Sequence, residues 1–133
     1  MYWCVIPAAG TGRRAGGERR KQYQDLAGRP MLSWTLEALA AHPAVAGLMV
    51  ALAPGDPWWP GLLECLGKPV RTTSGGAERA QSVLNGLRAL PASVGSRDWV
   101  LVHDAARPCM RPDDLSRLVE LGIRHPGGAL LPQ

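Results

Sequence analysis

The run Pro7-Ala8-Ala9-Gly10-Thr11-Gly12-Arg13-Arg14, with Lys21-Gln22-Tyr23 soon after it, joins the residue types that hold a polyphosphate. A glycine-rich turn at the end of a strand lets backbone N–H groups come close to phosphate oxygens. Here the turn also carries fixed charge. Arg13, Arg14, Arg19, Arg20 and Lys21 fall within nine residues and are opposed only by Glu18. Concentrated at the turn itself, these cations favour a polyphosphate over the alternative of a merely solvated basic face.

Two further segments carry chemistry. Gly75-Gly76 precedes a helical pattern whose first N–H groups would be open to an anion, although an ordinary loop leading into a helix has the same look. Arg79 and Ser82 lie three apart on the first turns of that helix and can share a side. The third segment is His103-Asp104-Ala105-Ala106-Arg107-Pro108. A carboxylate after a strand, such as Asp104, suits a Mg²⁺ that also bridges phosphates, because Mg²⁺ takes few protein carboxylates. It equally suits a cap on the following turn. Arg107 has two readings, a partner for Asp104 or a phosphate ligand. His103 reads as a loop histidine without a catalytic role.

Composition narrows the setting. A length of 133 residues with 46% hydrophobic and 20% charged content describes one folded domain. The net charge of +4 is local, since six of the 15 basic residues lie in the first 29 positions. That fits a small anionic ligand better than nucleic acid, and neither zinc-ligand spacing nor interleaved aromatic and basic residues occur. Cys4, Cys65 and Cys109 are odd in number and far apart, as expected of a reduced, cytoplasmic protein. The first residues do not resemble a secretion signal. Apolar stretches near ten residues are too short to span a bilayer, so neither a membrane nor a nucleic acid is an expected partner.

The elements that must position these segments alternate. Strands are predicted at Tyr2–Pro7, Val45–Ala53, Lys68–Thr73 and Trp99–Val102, the last of buried type. Helices are predicted at Pro30–His42, Pro60–Leu66, Glu78–Leu90 and Pro112–His125. The third carries an apolar stripe of Ala80, Val83, Leu84, Leu87 and Leu90. In the fourth, Arg124 and His125 are expected to complement the C-terminal dipole. Such alternation predicts an α/β fold, a mostly parallel sheet covered by helices on both faces. Ligands bind such sheets at the carboxyl ends of the strands, so the three segments are predicted to share one edge. Gly10-Thr11-Gly12-Arg13-Arg14-Ala15 formally matches a dinucleotide fingerprint. That fingerprint needs an acid about 20 positions on, at the end of the second strand, whereas this second strand ends near Ala51–Ala53 without one.

Taken in order, the first segment, then Gly75-Gly76-x-x-Arg79-x-x-Ser82-Val83-x-x-Gly86-Leu87, then Val102-His103-Asp104-Ala105-Ala106-Arg107-Pro108 closely resemble the 2-C-methyl-D-erythritol 4-phosphate cytidylyltransferase family of non-mevalonate isoprenoid synthesis. The resemblance runs from Met1 to about Leu131 and implies a Rossmann-like nucleotidyltransferase sandwich over 1–133. It implies that CTP lies over the strand ends, bound by Pro7, Ala8, Ala9, Gly10 and Gly12, with its triphosphate along Ala9–Arg14. By the same resemblance Arg14 and Lys21 stabilise charge on the α-phosphate, and Asp104 holds Mg²⁺. Gly75, Gly76 and Ser82 contact cytosine with Arg79 nearby, Ala8 and Ala105 pack by base and ribose, and Arg107 lies beside them. Methylerythritol phosphate is the implied acceptor, and longer relatives are expected to be homodimers. Arg20 stands where the family usually has proline, which implies a looser loop. Family members continue beyond Gln133, where the acceptor half lies, so a chain ending there is expected to turn over poorly. A ribitol 5-phosphate cytidylyltransferase and a non-catalytic CTP-binding fragment are the alternatives.

Overall fold

The computed structural model describes residues 1–10 and 21–125. Gly12 and Arg14 therefore lie outside the described residues, as does Arg20. Among the described residues seven strands and three α-helices follow one another: β1 Tyr2–Ala8, β2 Asp25–Leu26, β3 Arg29–Pro30, α1 Met31–Ala40, β4 Val45–Leu52, β5 Glu64–Cys65, β6 Lys68–Ser74, α2 Arg79–Arg88, β7 Leu101–Val102 and α3 Pro112–Gly122.

The main sheet has the order β5-β6-β4-β1-β7. Pairing of β1 with β4, β1 with β7 and β4 with β6 is parallel, and β5 runs antiparallel to β6. Both central strands are nearly continuous apolar runs because both of their faces are covered. Cys4, Val5 and Ile6 of β1 and Leu48 and Val50 of β4 are fully buried. Side chains alternate across a strand. Cys4, Ile6 and Ala8 join Leu32, Leu36 and Leu39 of α1 and Leu115 of α3 in one core. Val5 points the other way, onto Gly86 of α2. The predicted architecture, a parallel sheet with helices on both faces, is the one observed.

Four local expectations are corrected. The helix predicted at Pro60–Leu66 is absent. Gly61 (φ 74°), Leu66 (φ 49°) and Gly67 (φ 79°) lie outside helical space, and Leu66-Gly67 instead form the tight loop of a hairpin in which Cys65 faces Lys68. Two consecutive residues of positive φ match the twist of the strands they join. Ala27 (φ 52°) and Gly28 (φ 85°) do the same between β2 and β3, a hairpin with no counterpart in the sequence reading.

The strand predicted at Trp99–Val102 shortens to Leu101–Val102 and is not of buried type. Among the described residues it pairs only with β1, and Val102 is 42% exposed. Helix α2 turns a different side to the sheet from the one its apolar stripe suggests. Ser82 and Gly86 are buried, while Leu84 and Leu87 are 38% and 39% exposed. The cause is close approach, since a Cβ on Gly86 would sit 2.5 Å from Cγ1 of Val5. Lastly, α3 ends at Gly122, so Arg124 and His125 follow the helix rather than cap its last turn.

All three cysteines are free thiols: Cys4 buried, Cys65 half-buried, Cys109 exposed. Burial pushes the Cys4 thiol up to about 12. The thiolate is the reactive form, so titration with an aromatic disulfide reagent is expected to modify Cys109 first, Cys65 more slowly, and Cys4 only after denaturation. Rapid reaction of Cys4 in native buffer, read by peptide mapping, would contradict the burial of β1.

Candidate functional site

The three segments meet at one edge of the sheet because the strands that carry them are parallel and end level. Ala8 pairs with Leu52 and Leu52 with Ser74, so β1, β4 and β6 finish on one line. The Gly75 N–H donates to the Leu52 carbonyl at 2.6 Å, which extends that line by one residue. Gly75 also abuts the first segment, for a Cβ there would run into the Cβ of Ala9. The absence of a side chain at Gly75 is therefore what lets the two loops touch.

Ser82 holds the glycine pair against α2. Its Oγ accepts the Gly76 N–H at 3.1 Å and donates to the Gly76 carbonyl at 3.5 Å, and the residue is buried. Asn85, one turn on, donates from Nδ2 to the Ser74 carbonyl at 2.9 Å. Arg79 is exposed whereas Ser82 points inward, so the two do not share a side as expected. Ala8 and Ala105 are both core residues. Pro7 and Ala9 are half-buried, and Gly10 is exposed.

Lys21-Gln22-Tyr23 forms a 3-10 turn. The sequence reading drew only Lys21 from it, but its neighbours place it. Gln22 is buried and donates from Nε2 to the Ala8 carbonyl at 2.9 Å, which ties the turn to the end of β1. The buried Tyr23 donates its hydroxyl to Asp56 Oδ2 at 2.8 Å, and Asp56 Oδ1 accepts the Trp58 N–H at 3.0 Å. The turn that begins with the exposed Lys21 is thus held near the end of β1 by the anchored side chains of its two neighbours. Thr35 was also missed. It is fully buried in α1, and its hydroxyl donates to the Ala105 carbonyl at 2.8 Å. The only sequence signal was a hydroxyl residue inside an apolar helix. For Asp56, in a loop rich in proline and glycine, there was none.

Asp104 follows β7 and lies between two arginines. Its Oδ1 receives Arg79 through Nε and Nη2, each at 2.9 Å, and its Oδ2 receives Arg107 Nε at 3.0 Å. Partial burial pushes the carboxyl up, but hydrogen bonds and charge from Arg79 and then Arg107 outweigh it and leave Asp104 below the ordinary aspartate value. A depressed carboxyl stabilises the fold above its unfolded pKa, and that contribution is lost as the pH falls through the folded value. The clamp therefore stands throughout the neutral range. His103 shapes the same turn by donating from Nε2 to the Arg107 carbonyl at 2.8 Å.

The fit of a divalent cation to these residues is poor. Both carboxylate oxygens already face guanidinium groups, and among the described residues no group of three or more His, Cys, Asp or Glu converges. A cation at Asp104 would have to share the carboxylate with two guanidinium groups.

An edge with anchored glycine loops and several cations is suited to binding a nucleotide's phosphates. Comparison with known proteins gives the family. Residues 2–132 match the family of 2-C-methyl-D-erythritol 4-phosphate cytidylyltransferase. Proteins of that name from Xylella fastidiosa (strain M23) and Xanthomonas axonopodis pv. citri (strain 306) are 59% and 57% identical over 129 residues, 97% of this chain. Those residues are 56% and 48% of the relatives' own length, so the chain spans about half of the curated relatives it matches. Among solved structures, the Francisella tularensis 2-C-methyl-D-erythritol 4-phosphate cytidylyltransferase superposes with a TM-score of 0.74 at 32% identity, over 94% of this chain and 53% of that one. A 4-diphosphocytidyl-2C-methyl-D-erythritol synthase gives 0.76 at 28% identity, over 96% and 56%. By its residues, its fold and its relatives, this chain belongs to the 2-C-methyl-D-erythritol 4-phosphate cytidylyltransferase family.

Proposed function

We propose that residues 1–133 act as one nucleotide-binding domain that takes CTP for cytidylyl transfer to 2-C-methyl-D-erythritol 4-phosphate, in non-mevalonate isoprenoid synthesis. The observation that carries this reading is the meeting of the three segments at one edge, Gly75 against Ala9 and Arg79 on Asp104. In the proposed reaction a phosphate oxygen of the acceptor attacks the α-phosphorus of CTP, the bond to the β-phosphate breaks, and pyrophosphate leaves. The products are 4-diphosphocytidyl-2-C-methyl-D-erythritol and pyrophosphate.

Phosphoryl chemistry of this kind asks the protein for positioning and charge rather than for a covalent step. Lys21, held by Gln22 and Tyr23, supplies positive charge at the end of β1, and Arg14 is proposed to act with it. Ala9, Gly10 and Gly12 offer main-chain N–H groups to the triphosphate, and Pro7 and Ala8 line the nucleotide beside them. The Gly75–Gly76 loop, shaped by Ser82, offers main chain to cytosine, beside Ala105 and Arg107. The nucleotide is proposed to enter as its Mg²⁺ complex, the cation belonging to the substrate. Free thiols fit a cytoplasmic setting, and no helix among the described residues is long and apolar enough to cross a membrane.

Calorimetric titration tests the reading. With Mg²⁺ present, CTP is expected to bind at least about tenfold more tightly than UTP or ATP, as a site built to hydrogen-bond one base edge requires. Failure to bind CTP, or equal affinity for all three, would sink it. Pyrophosphate release with methylerythritol phosphate then reports transfer.

A further inference from the structure

Asp104 was read from the sequence as a metal ligand, and its surroundings argue for a different task. Its backbone is pinned on both sides. The His103 N–H donates to the Val5 carbonyl at 3.1 Å, and the Ala105 carbonyl accepts from Thr35 at 2.8 Å. Its partners are the reverse, long side chains that are 61% (Arg79) and 56% (Arg107) exposed. A fixed carboxylate between two exposed guanidinium groups orders them, because it removes rotamer freedom that they would otherwise keep.

The charge balance points the same way. One carboxylate against two guanidinium groups leaves a net positive cluster, which repels a cation and attracts an anion. Each arginine has five N–H donors in a rigid fork. Arg79 places two of its donors on Asp104 and Arg107 places one, so the carboxylate fixes the forks without exhausting them. The clamp also joins two loops far apart in sequence, since Arg79 opens α2 just after the glycine pair and Arg107 follows β7.

We infer that Asp104 is a positioning residue that holds Arg79 and Arg107 as paired anion donors at the strand edge, and that it does not ligate the cation accompanying the triphosphate. The inference rests on the CTP reading above.

Asp104→Asn separates the possibilities. It is expected to weaken CTP binding about tenfold, the cost of one charge-assisted hydrogen bond. Binding of uncharged cytidine, followed by ligand-observed NMR, is expected to change less than about twofold, because no anion is involved. The affinity of the CTP-loaded protein for Mn²⁺, read by electron paramagnetic resonance, is expected to hold within about twofold, since no ligand to the ion is lost. In an Arg79→Gln background, Asp104→Asn is expected to cost less CTP affinity than it does alone, because the carboxylate acts through that guanidinium.

A Mn²⁺ affinity lowered tenfold or more would identify Asp104 as a cation ligand and overturn the inference. Equal losses for cytidine and CTP would reduce the clamp to a structural support, and unchanged CTP affinity would remove its role. Absence of CTP binding by the unsubstituted chain would instead defeat the nucleotide reading itself.

Discussion

Lys21→Ala is expected to weaken CTP binding between about ten- and a hundredfold, the range for losing a hydrogen bond to a charged group. Where transfer is measured, a fall of about a hundredfold or more is expected, as for removal of one donor aimed at developing charge. The fold is not expected to suffer. Lys21 is exposed at the start of its turn, and the anchors Gln22 and Tyr23 are untouched. The thermal midpoint of Lys21→Ala should therefore match that of the parent chain. Lys21→Arg, which keeps the charge on a different fork, should recover part of the CTP affinity. Calorimetry on the three proteins decides the matter, and undiminished CTP binding by Lys21→Ala would remove Lys21 from the site.

Gly75→Ala is expected to damage the fold and the site together. Its new Cβ would collide with Cβ of Ala9, lie 2.8 Å from Ser82 Oγ and 3.4 Å from the Ala51 carbonyl. None of these neighbours is the far end of a flexible chain, so the loops after β1 and β6 must part. Overpacking of this kind costs about 1–3 kcal/mol, which corresponds to a midpoint lower by roughly 4–11 °C in a domain of this size. CTP affinity should fall with it, because both loops line the edge proposed for the nucleotide. Gly10→Ala is the internal control. Among the described residues nothing lies within 4 Å of a Cβ at Gly10, and its midpoint should not move. Equal melting of Gly75→Ala and the parent chain would mean that the two loops are not held in contact.

How much of this was legible before the structure depends on what kind of signal each part left. β1, β4 and α1 were legible because burial on both faces, or on one helical stripe, writes itself as apolar runs and spacing. Leu32, Leu36 and Leu39 lie where their period put them. The hairpins at Ala27-Gly28 and Leu66-Gly67 were not legible, since alanine and leucine seldom adopt positive φ and only the strand pairing on either side holds them there. The orientation of α2 was misread for a related reason. A helix that must approach the sheet closely shows it small residues, and Ser82 and Gly86 beat the leucines to that face. At the site, the strand-end rule placed the three segments on one edge from sequence alone. It could not say that Asp104 would meet Arg79, a partner 25 residues away, because that pairing depends on how α2 and β7 are seated across β1. Gln22 and Tyr23 were in view, but nothing in their types revealed that their side chains tie the turn to the Ala8 carbonyl and to Asp56.

The contact between Val5 and Gly86 reaches further than packing. Val5 lies on β1 behind the site, its carbonyl holds the His103 N–H, and its side chain sets how closely α2 approaches. One buried side chain therefore gauges the span between the helix that begins with Arg79 and the loop that bears Asp104. The two positions share a fixed volume and have to vary as a unit. In any descendant of this sequence, a methyl group gained at position 86 calls for carbon lost at position 5, or the separation between the two loops changes even though every residue lining them stays the same.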